Sequence, residues 1–466
     1  MSETITEMIL PGTYIDVRAE GLIGVGGIST GNIGVVGTAS RGEVNKVFVI
    51  SSYSEALDLF GPYDAWPSTA SAQANALTLT RTIEQLFRGG ASTVYAVRVG
   101  DFTGTPPVMT WSISDGGGVV LGLQANSPGT WANAITVSLN TTDHTLQVVL
   151  GTQKETHDAS TVAKLAAAIA ADSRFLVVTA APAPADVAKV PTTVTPGTAV
   201  GSNGESAGGG TSVATGLDLL APETVNIVVI GGVGAKDAKA NMLAHLEATE
   251  NDGKERIGVL GVSKDAFTSL EPNDIVSNAR VILVTPGIKA DDAVSKTQVT
   301  LPGAYAAALV AGRLSTLGVH ISLTNKDIAA AGLAQAYTRG QQKNLLGKQM
   351  LVLRNELGIR VLKGITTDTG AFRQISVRRT VDYAKAGVRI GSNAYIGRLN
   401  NVRVRAALKA TLDGFLSQMV LDEMLVGYTL DVSATRSQEI NGQAIVTMTL
   451  QPTFSIDFVK VIMNLQ

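Results

Sequence analysis

The sequence predicts a multidomain protein of the α/β class, α+β in part, built on a central and mostly parallel sheet. In two stretches, 32–100 and 217–335, short apolar runs alternate with helical patterns. Such alternation is typical of a parallel sheet that helices cover on both faces. Between them, from 101 to 216, Pro, Gly, Thr and Ala dominate. This change of composition indicates an inserted domain, and 466 residues are enough for two to four domains.

The first stretch contains three predicted strands and two predicted helices. The strands are 33–37, 47–50 and 93–99, each an apolar run. The first helix has Ser54 as its N-cap and Gly61 as its stop. The second helix runs from about 72 to 88 and ends before two consecutive glycines.

The second stretch continues the alternation. Strands are predicted at 225–230, 257–262, 281–285 and 320–323, and helices at 235–250 and 303–317. The insertion is predicted to be β-rich, with a strand pair at 134–139 and 145–150, a helix at 161–171 and a strand at 175–179.

These patterns divide the chain into five parts. An extended arm, 1–31, precedes an α/β domain made of 32–100 and 217–339, which is interrupted by the β-rich domain 101–216. The C-terminal α+β domain, 340–452, contains an amphipathic helix at 401–425 and strands at 428–432 and 444–450. The last part, 453–466, is a second strand arm.

The two arms suggest polymer formation. In a strand over 454–463, Phe454, Ile456 and Phe458 fall on one face and Val459, Val461 and Met463 on the other. An unpaired strand of this kind either completes a sheet in its own subunit or joins the sheet of a neighbour. A head-to-tail contact whose rotation does not close produces a helical filament.

The composition also favours assembly. Hydrophobic residues make up 45% of the chain and charged residues only 16%, with 49 glycines. A free monomer is rarely so apolar, although an Ala- and Gly-rich α/β enzyme has similar numbers. The chain has no cysteine, which excludes disulfides and thiol chemistry. Its first seven residues are polar and acidic, and the best apolar stretch, 301–321, contains Arg313 and His320, so we expect neither secretion nor membrane insertion.

Two glycine motifs lack the context that catalysis requires. Gly27, Ser29 and Gly31 have the spacing of a nucleophile elbow, but a strand follows them where a helix should. The run from Gly340 to Lys348 has the wrong spacing for a P-loop, and Gln349 stands where Ser or Thr should bind magnesium. The four histidines have no metal-ligand spacing. We therefore predict no catalytic, cofactor-binding or metal-binding residues.

A third glycine motif supports the main alternative function. Gly231, Gly232 and Gly234 lie between a predicted strand and a predicted helix, where a phosphate-binding loop belongs. Asp237 occupies the place of the next glycine and repels a pyrophosphate. A tight turn is the favoured interpretation, and an α/β nucleotide-binding enzyme is the alternative.

Basic residues are concentrated in one segment. From 343 to 409 there are 14 Lys and Arg against three acidic residues, although the whole chain has a net charge of −2. A solvated basic face, an acidic protein partner or nucleic acid would each explain this segment. The segment lacks the interleaved aromatic residues of a single-strand binder, which disfavours a nucleic-acid-coating protein.

The chain resembles the contractile tail sheath proteins of bacteriophages and phage-like particles. The resemblance rests on the combination of PGTYID at 11–16, VVGTASRG at 35–42, YSEALDLFG at 53–61 and LFRGGASTVYAVRV at 86–99. A second block, 368–425, resembles the C-terminal domain of the same family. The middle of the chain is less similar.

The resemblance implies a structural subunit and not an enzyme, with no cofactor. Such subunits polymerise helically around a tail tube and contract to drive it through the host envelope for genome delivery. The implied partners are other copies of the chain, the tail tube protein, and the baseplate and tail terminator proteins, without direct contact to nucleic acid. The implied location is the virion tail, after assembly in the host cytoplasm.

The resemblance also assigns roles to residues. In sheaths, the arms of adjacent subunits insert as strands into the C-terminal domain of another subunit. Carried onto this chain, the arms comprise Leu10, Pro11, Gly12, Tyr14 and Asp16 at one end, and Phe454, Ile456, Phe458, Val459 and Val461 at the other. A basic face of Arg389, Arg398, Arg403, Arg405 and Lys409 is expected to face an acidic tube, and the domain 101–216 to project outward.

Overall fold

A computed structural model describes residues 27–66, 77–102, 104–204, 211–263 and 276–464. The strands are β1 (Ile33–Gly37), β2 (Val47–Ile50), β3 (Val94–Arg98), β4 (Thr110–Ser114), β5 (Val119–Ala125), β6 (Thr136–Asn140), β7 (Thr145–Leu150), β8 (Gln153–Asp158), β9 (Leu176–Val178), β10 (Thr193–Pro196), β11 (Ile227–Ile230), β12 (Ile257–Gly261), β13 (Val281–Thr285), β14 (Ile288–Asp291), β15 (Gln298–Leu301), β16 (Gly332–Leu333), β17 (Leu351–Asn355), β18 (Ile359–Val361), β19 (Leu425–Ser433) and β20 (Ile445–Pro452). The helices are α1 (Tyr53–Phe60), α2 (Leu79–Gly89), α3 (Val162–Asp172), α4 (Thr211–Leu220), α5 (Ala235–Asn251), α6 (Gly303–Ser315), α7 (Arg339–Gly347), α8 (Ile375–Asn393), α9 (Val402–Leu421) and α10 (Arg436–Ile440).

Among the described residues, eight strands form a central sheet in the order β18-β17-β13-β12-β11-β1-β3-β2. The five inner pairings are parallel, and only the outermost strands, β2 and β18, run antiparallel to their neighbours. The strands β1, β11, β12 and β13 are buried along their whole length because both faces of the sheet are covered. The predicted α/β fold class with a mostly parallel sheet is confirmed.

Helices cover the two faces of this sheet. Side chains of α1, α2 and α6 form one core with the strands, and side chains of α4, α5 and α7 form a second core on the other face. Helices α2 and α6 approach closely because glycines meet at their crossing. A Cβ on Gly89 would lie 2.4 Å from the carbonyl oxygen of Leu309, and one on Gly312 would lie 2.2 Å from that of Leu86.

The stretch between β3 and α4 folds around a core of its own. It contains the sheets β10-β4-β5-β9 and β6-β7-β8 together with α3. Its buried side chains extend from Met109 to Val200. The predicted strands and helix of this stretch are therefore present, and its β-rich character is confirmed.

The C-terminal part consists of two helices and a hairpin. Helices α8 and α9 pack on one another, and the hairpin of β19 and β20 packs on α9. The apolar stripe predicted for α9 is buried, with Leu408, Leu412, Leu416 and Met419 facing the other elements. The helix itself is shorter than predicted, since Leu425 already belongs to β19.

Three other predictions about elements need correction. The N-cap of α1 is Ser52, whose side chain accepts a hydrogen bond from Glu55 N, and not Ser54. Residues 320–323 form a turn and an irregular segment instead of a closing strand, because a turn in which Ile321 N donates to Gly318 O at 3.0 Å takes the place of an extended start. The central sheet includes β17 and β18, which lie beyond residue 340, where the sequence analysis begins the C-terminal domain.

Candidate assembly interface

The C-terminal segment, 453–464, has no strand pairing within the described chain. Its apolar side chains face solvent: Phe454, Ile456, Phe458, Val459 and Val461, which the sequence analysis assigns to an arm, are all at least 63% exposed. Exposed apolar residues in a contiguous run mark an interaction surface more often than a free surface. The residues Leu10, Pro11, Gly12, Tyr14 and Asp16 of the other predicted arm lie outside the described residues.

Asp457 and Ser455, whose N donates to Gln374 Oε1 at 3.3 Å, hold this exposed segment to the rest of the subunit. Asp457 pairs with Lys363 at 3.1 Å and accepts hydrogen bonds from Thr324 Oγ1 at 3.2 Å and Gln374 Nε2 at 3.3 Å. Lys363 also lies 4.8 Å from the ring centre of Phe458. The segment is thus attached at Asp457, while its apolar side chains remain uncovered. Sequence reasoning missed this anchor; the only signal was a single acid within an apolar run.

The hairpin that precedes the segment has two free edges among the described residues. β19 and β20 form a two-stranded sheet with no third strand. One face is apolar and packs toward α9 through Tyr428, Leu430 and Val432. The other face is polar, with Thr429 opposite Thr449 and Asp431 opposite Thr447. A two-stranded sheet is only marginally stable alone, and its free backbone groups are a template for a further strand.

Three of the five residues of the predicted basic face form ion pairs within the chain. Arg389 forms an ion pair with Glu255 at 2.8 Å, Arg405 with Glu439 at 2.9 Å, and Lys409 with Asp431 at 3.4 Å. Arg398 lies over the ring of Tyr395 at 5.2 Å, and Arg403 is exposed on the first turn of α9. The structure does not test whether these residues contact a tube, so that role stays a prediction.

The charge of the whole basic segment is offset by acids from elsewhere in the chain. At least eight of its 14 basic residues pair with a carboxylate. Six of the paired acids lie outside 343–409: Glu250, Glu255, Asp327, Asp431, Glu439 and Asp457. Charge that is segregated in the sequence is therefore largely neutralised in space.

Helix α8 docks at the amino-terminal ends of the parallel strands. Arg280, just before β13, pairs with Asp382 at 2.7 Å and with Glu250 at 2.5 Å. Arg379, buried on the same helix, donates to the carbonyl oxygens of Leu317 and Thr30, and desolvation lowers its pKa to about 10. These contacts fasten the C-terminal helices to the α/β domain.

The inserted domain is attached at the opposite ends of those strands. Arg98, the last residue of β3, donates to the carbonyl oxygens of Gly42 at 2.6 Å and Pro128 at 2.7 Å. Gly42 N in turn donates to Ser127 Oγ at 2.9 Å. The insertion and the C-terminal helices therefore lie at opposite ends of the strands of the central sheet.

The glycine turn at 231–234, on which the alternative enzyme hypothesis depends, packs closely against other side chains of the same chain. Gly232 has φ +69, and a Cβ there would lie 2.5 Å from Thr78 Cγ2. A Cβ on Gly234 would lie 2.5 Å from Ser263 Oγ, which also accepts from Lys236 N at the start of α5. Close packing of the turn explains these glycines without a phosphate.

Three cavities in the described part of the chain lie away from that turn. One of about 320 Å³ lies between the start of β11 and α8, one of about 390 Å³ between α1 and the insertion, and one of about 570 Å³ beside β17. In the part of the chain that the structure describes, no group of acidic and histidine side chains has the geometry to hold a metal ion. Within the same ranges, none of the helices combines the length and apolar character needed to span a bilayer.

Comparison with known proteins agrees with these features. Residues 367–466 match the family of the phage tail sheath C-terminal domain. A tail sheath protein of Mycobacterium phage Bxz1 is 25% identical over 217 residues, which are 42% of this chain and 37% of that protein. The chain thus spans well under half the length of that relative.

Solved sheath structures share the fold over nearly the whole chain. The sheath tail protein of Desulfitobacterium hafniense matches with a TM-score of 0.62 and 19% identity, covering 95% of this chain and all of that one. The helical sheath of the anti-feeding prophage in its contracted state matches with a TM-score of 0.58 and 14% identity, covering 98% and 99% of the two chains. The resemblance seen in the sequence is confirmed.

Proposed function

We propose that this chain, which carries a tail sheath C-terminal domain within the fold of sheath proteins, is the structural subunit of a contractile tail sheath. Copies assemble helically around a tail tube and contract to drive the tube through a host envelope. The observation that carries this proposal is the hairpin of β19 and β20, which has no third strand among the described residues and lies beside an exposed apolar segment.

Strand addition between subunits explains both features. The segment 454–463 of one copy adds to a free edge of the hairpin of another copy. Main-chain hydrogen bonds supply the affinity, at about 1 kcal/mol net for each bond. Alternating apolar side chains supply the register, because a slip of one residue exchanges the two faces of the strand. The arm that contains Tyr14 is proposed to add in the same way.

The proposal includes partners and location. Besides other copies, the partners are the tail tube, baseplate and tail terminator proteins, with no direct contact to nucleic acid and no insertion into a membrane. Among the similar structures is the baseplate of the anti-feeding prophage, which supports the baseplate contact. Assembly takes place in the host cytoplasm, and the finished protein resides in the virion tail.

Contraction requires no bound nucleotide in this proposal. Work comes from contacts between subunits that are more favourable in the contracted lattice, while the extended lattice is held kinetically. Strands exchanged between subunits keep the lattice connected while weaker surface contacts break and re-form. Exposed ion pairs between subunits suit contacts that break and re-form, since each contributes only about 0–1 kcal/mol to the free energy of the contact. The close packing of Gly232 and Gly234 is also in keeping with a subunit that is not an enzyme.

Negative-stain electron microscopy of the purified protein tests the proposal. Tubes or rings of uniform diameter are expected for the wild-type chain. The variant Val459→Pro/Val461→Pro removes two backbone N–H donors from the same edge of the segment, so we expect it to lose the lattice. The matched variant Val459→Ala/Val461→Ala keeps these donors and should still assemble.

Three other outcomes would each contradict part of the proposal or favour an alternative. Monomers of the wild-type chain in every buffer, even with tube protein supplied, would argue against a sheath subunit. Thermal stabilisation by a nucleotide would then favour the enzyme, and salt-sensitive retention on DNA would favour the nucleic-acid-coating protein. Normal assembly of the proline variant would show that this segment adds no strand.

A further inference from the structure

Two Asn-Gly pairs in the chain have the same local chemistry but different surroundings. Asn441 and Gly442 follow α10 in the connection between β19 and β20, and both are exposed. Asn203 and Gly204 lie where the insertion returns to the end of β3, and both are buried. In such a pair the asparagine amide carbon reacts readily with the next main-chain nitrogen, because glycine has no Cβ to obstruct the approach.

The side-chain amide is fixed in the buried pair and not in the exposed pair. Asn203 Oδ1 accepts hydrogen bonds from Thr130 N at 2.7 Å and from Thr130 Oγ1 at 3.1 Å. The side-chain amide of Asn441 forms no hydrogen bond with any other residue that the structure describes. The amide carbon of Asn441 is therefore free to turn toward the nitrogen of Gly442.

The nitrogen of Gly442 becomes available when one exposed turn opens. Gly442 N donates to Glu439 O at 3.1 Å, and this bond must break before the nitrogen can react. Helix α10 has only 5 residues, none of them buried, and so short a helix is marginally stable in water. Asn400 Nδ2 donates to Gln443 O at 2.8 Å, which holds the following residue in place. The turn therefore opens without unfolding of the hairpin.

We propose that the exposed pair, Asn441 and Gly442, is a site of spontaneous deamidation. Gly442 N loses its proton to hydroxide and attacks Cγ of Asn441, so that a carbon–nitrogen bond forms and the bond from Cγ to Nδ2 breaks. The departing NH₂ group takes a proton from water and leaves as ammonia. A second water molecule then opens the cyclic succinimide at either carbonyl, which produces aspartate or isoaspartate. Solvent supplies every reactant, so the reaction requires neither an enzyme nor a cofactor.

Either product changes the connection between β19 and β20. Glu439 there already pairs with Arg405 at 2.9 Å and with Arg436 at 3.1 Å, and the new carboxylate adds a second negative charge to this group. Isoaspartate also routes the main chain through its side-chain carbon, which lengthens the chain by one atom shortly before β20. Molecules that have reacted therefore differ from new ones in the charge and shape of this connection. This inference does not depend on the proposed sheath function.

Peptide mapping of the full chain by mass spectrometry tests the inference. The folded protein and the same protein in guanidinium chloride are incubated in mildly alkaline buffer, and conversion of Asn203 and Asn441 is followed over days. In guanidinium chloride the two should convert at similar rates, because only the local sequence acts there. In the folded protein Asn441 should convert within about tenfold of its denatured rate, since an exposed turn opens at little cost in free energy. Asn203 should stay unmodified in the folded protein.

A variant and a change of pH complete the test. Asn441→Gln keeps a neutral amide at the position but requires a larger ring, so we expect no conversion there. Conversion of Asn441 should slow in mildly acidic buffer, because Gly442 N must lose a proton. A folded chain in which Asn441 stays intact while the denatured chain converts would overturn the site. Equal conversion of Asn203 and Asn441 in the folded protein would overturn the role given to their surroundings.

Discussion

Arg81 is a cation buried on α2, and its surroundings show how the core accommodates charge. Its Nη1 lies 2.9 Å from Asp292 Oδ2, and the guanidinium lies 4.0 Å from the ring centre of Tyr63 and 5.1 Å from that of Trp66. Burial by itself raises the pKa of Asp292, but hydrogen bonds from Ser295 N, Arg81, Trp66 N and Val294 N together lower this pKa to about 2. Asp292 is therefore ionised at neutral pH and compensates the charge of Arg81.

Replacing this carboxylate should be strongly destabilising. Asp292→Asn keeps the shape of the side chain but leaves Arg81 buried without a counterion, so we expect the free energy of unfolding to fall by about 3–5 kcal/mol. The control is Asp291→Asn, an exposed neighbour on β14 that should change stability by less than about 0.5 kcal/mol. Urea denaturation measures both variants, and equal stabilities would refute the role given to the pair.

At the scale of elements, the packing of α8 on α9 depends on a glycine. A Cβ on Gly387 would lie 2.0 Å from Phe415 Cζ, whereas a Cβ on Gly414, on the outer side of α9, would meet nothing within 4 Å. The ring of Phe415 also packs on Tyr383, with ring centres 5.8 Å apart. The two helices therefore approach closely at one point, where only glycine fits.

The two glycines should respond oppositely to the same substitution. Gly387→Ala forces the helices apart and should destabilise the protein by about 1–3 kcal/mol. Gly414→Ala introduces no clash and removes backbone freedom from the unfolded chain, so it should stabilise by up to about 1 kcal/mol. Thermal unfolding of the two variants checks the signs, and destabilisation of similar size in both would contradict the packing argument.

The ion pairs that fasten α8 to the α/β domain should be sensitive to acid. Hydrogen bonds from Arg280, acting against partial burial, and the charges of Arg280 and Lys385 lower the pKa of Glu250 to about 2, from an ordinary value of 4.5. Because the folded-state pKa is depressed, the stabilisation is complete above pH 4.5 and is lost as the pH falls toward 2.

A substitution that mimics protonation isolates this contribution. Glu250→Gln should lower the melting temperature at pH 7, and the difference from the wild type should shrink below pH 4.5 and vanish near pH 2. Glu247→Gln, exposed on the same helix, should match the wild type at every pH. A difference that does not depend on pH would mean that the charge of Glu250 contributes nothing.

At the scale of the whole molecule, the insertion and the C-terminal part lie at opposite ends of the strands of the central sheet. Arg98 holds the insertion beyond the carboxyl end of β3, and Arg280 holds α8 before the amino end of β13. Both attachments are made of several bonds to buried arginines. The C-terminal helices therefore lie on one side of the subunit and the insertion on the other.

This arrangement predicts that the insertion is dispensable for assembly. Asp101 N donates to Gly204 O at 2.9 Å, so the two ends of the insertion already meet and a short Gly-Ser linker can replace 103–203. We expect this variant to form the same tubes or rings as the full chain, with a smaller outer diameter in negative stain. Loss of the lattice in this variant, with the melting of the α/β domain unchanged, would place the insertion among the lattice contacts.

The sequence by itself determined the class of fold, the order of most elements and the resemblance to sheath proteins. Continuous apolar runs such as 227–230 and 281–285 are local signals, since a strand buried on both faces must be apolar throughout. Helix ends were less predictable. Ser52 and Ser54 are both good N-cap residues, and only the structure shows that Ser52 caps α1.

Only the tertiary structure shows which basic side chains form ion pairs and which strand edges have no partner strand among the described residues. The partner of Arg389, Glu255, lies 134 residues away in the sequence, so a basic segment that looks free in the sequence is paired in space. The same holds for the anchor of Asp457 and for the hydrogen bond between Asn400 and Gln443, which joins two connections of the C-terminal part. Periodicity records which face of an element is buried, but the pairing of distant groups depends on how the elements pack, and local patterns do not contain that information.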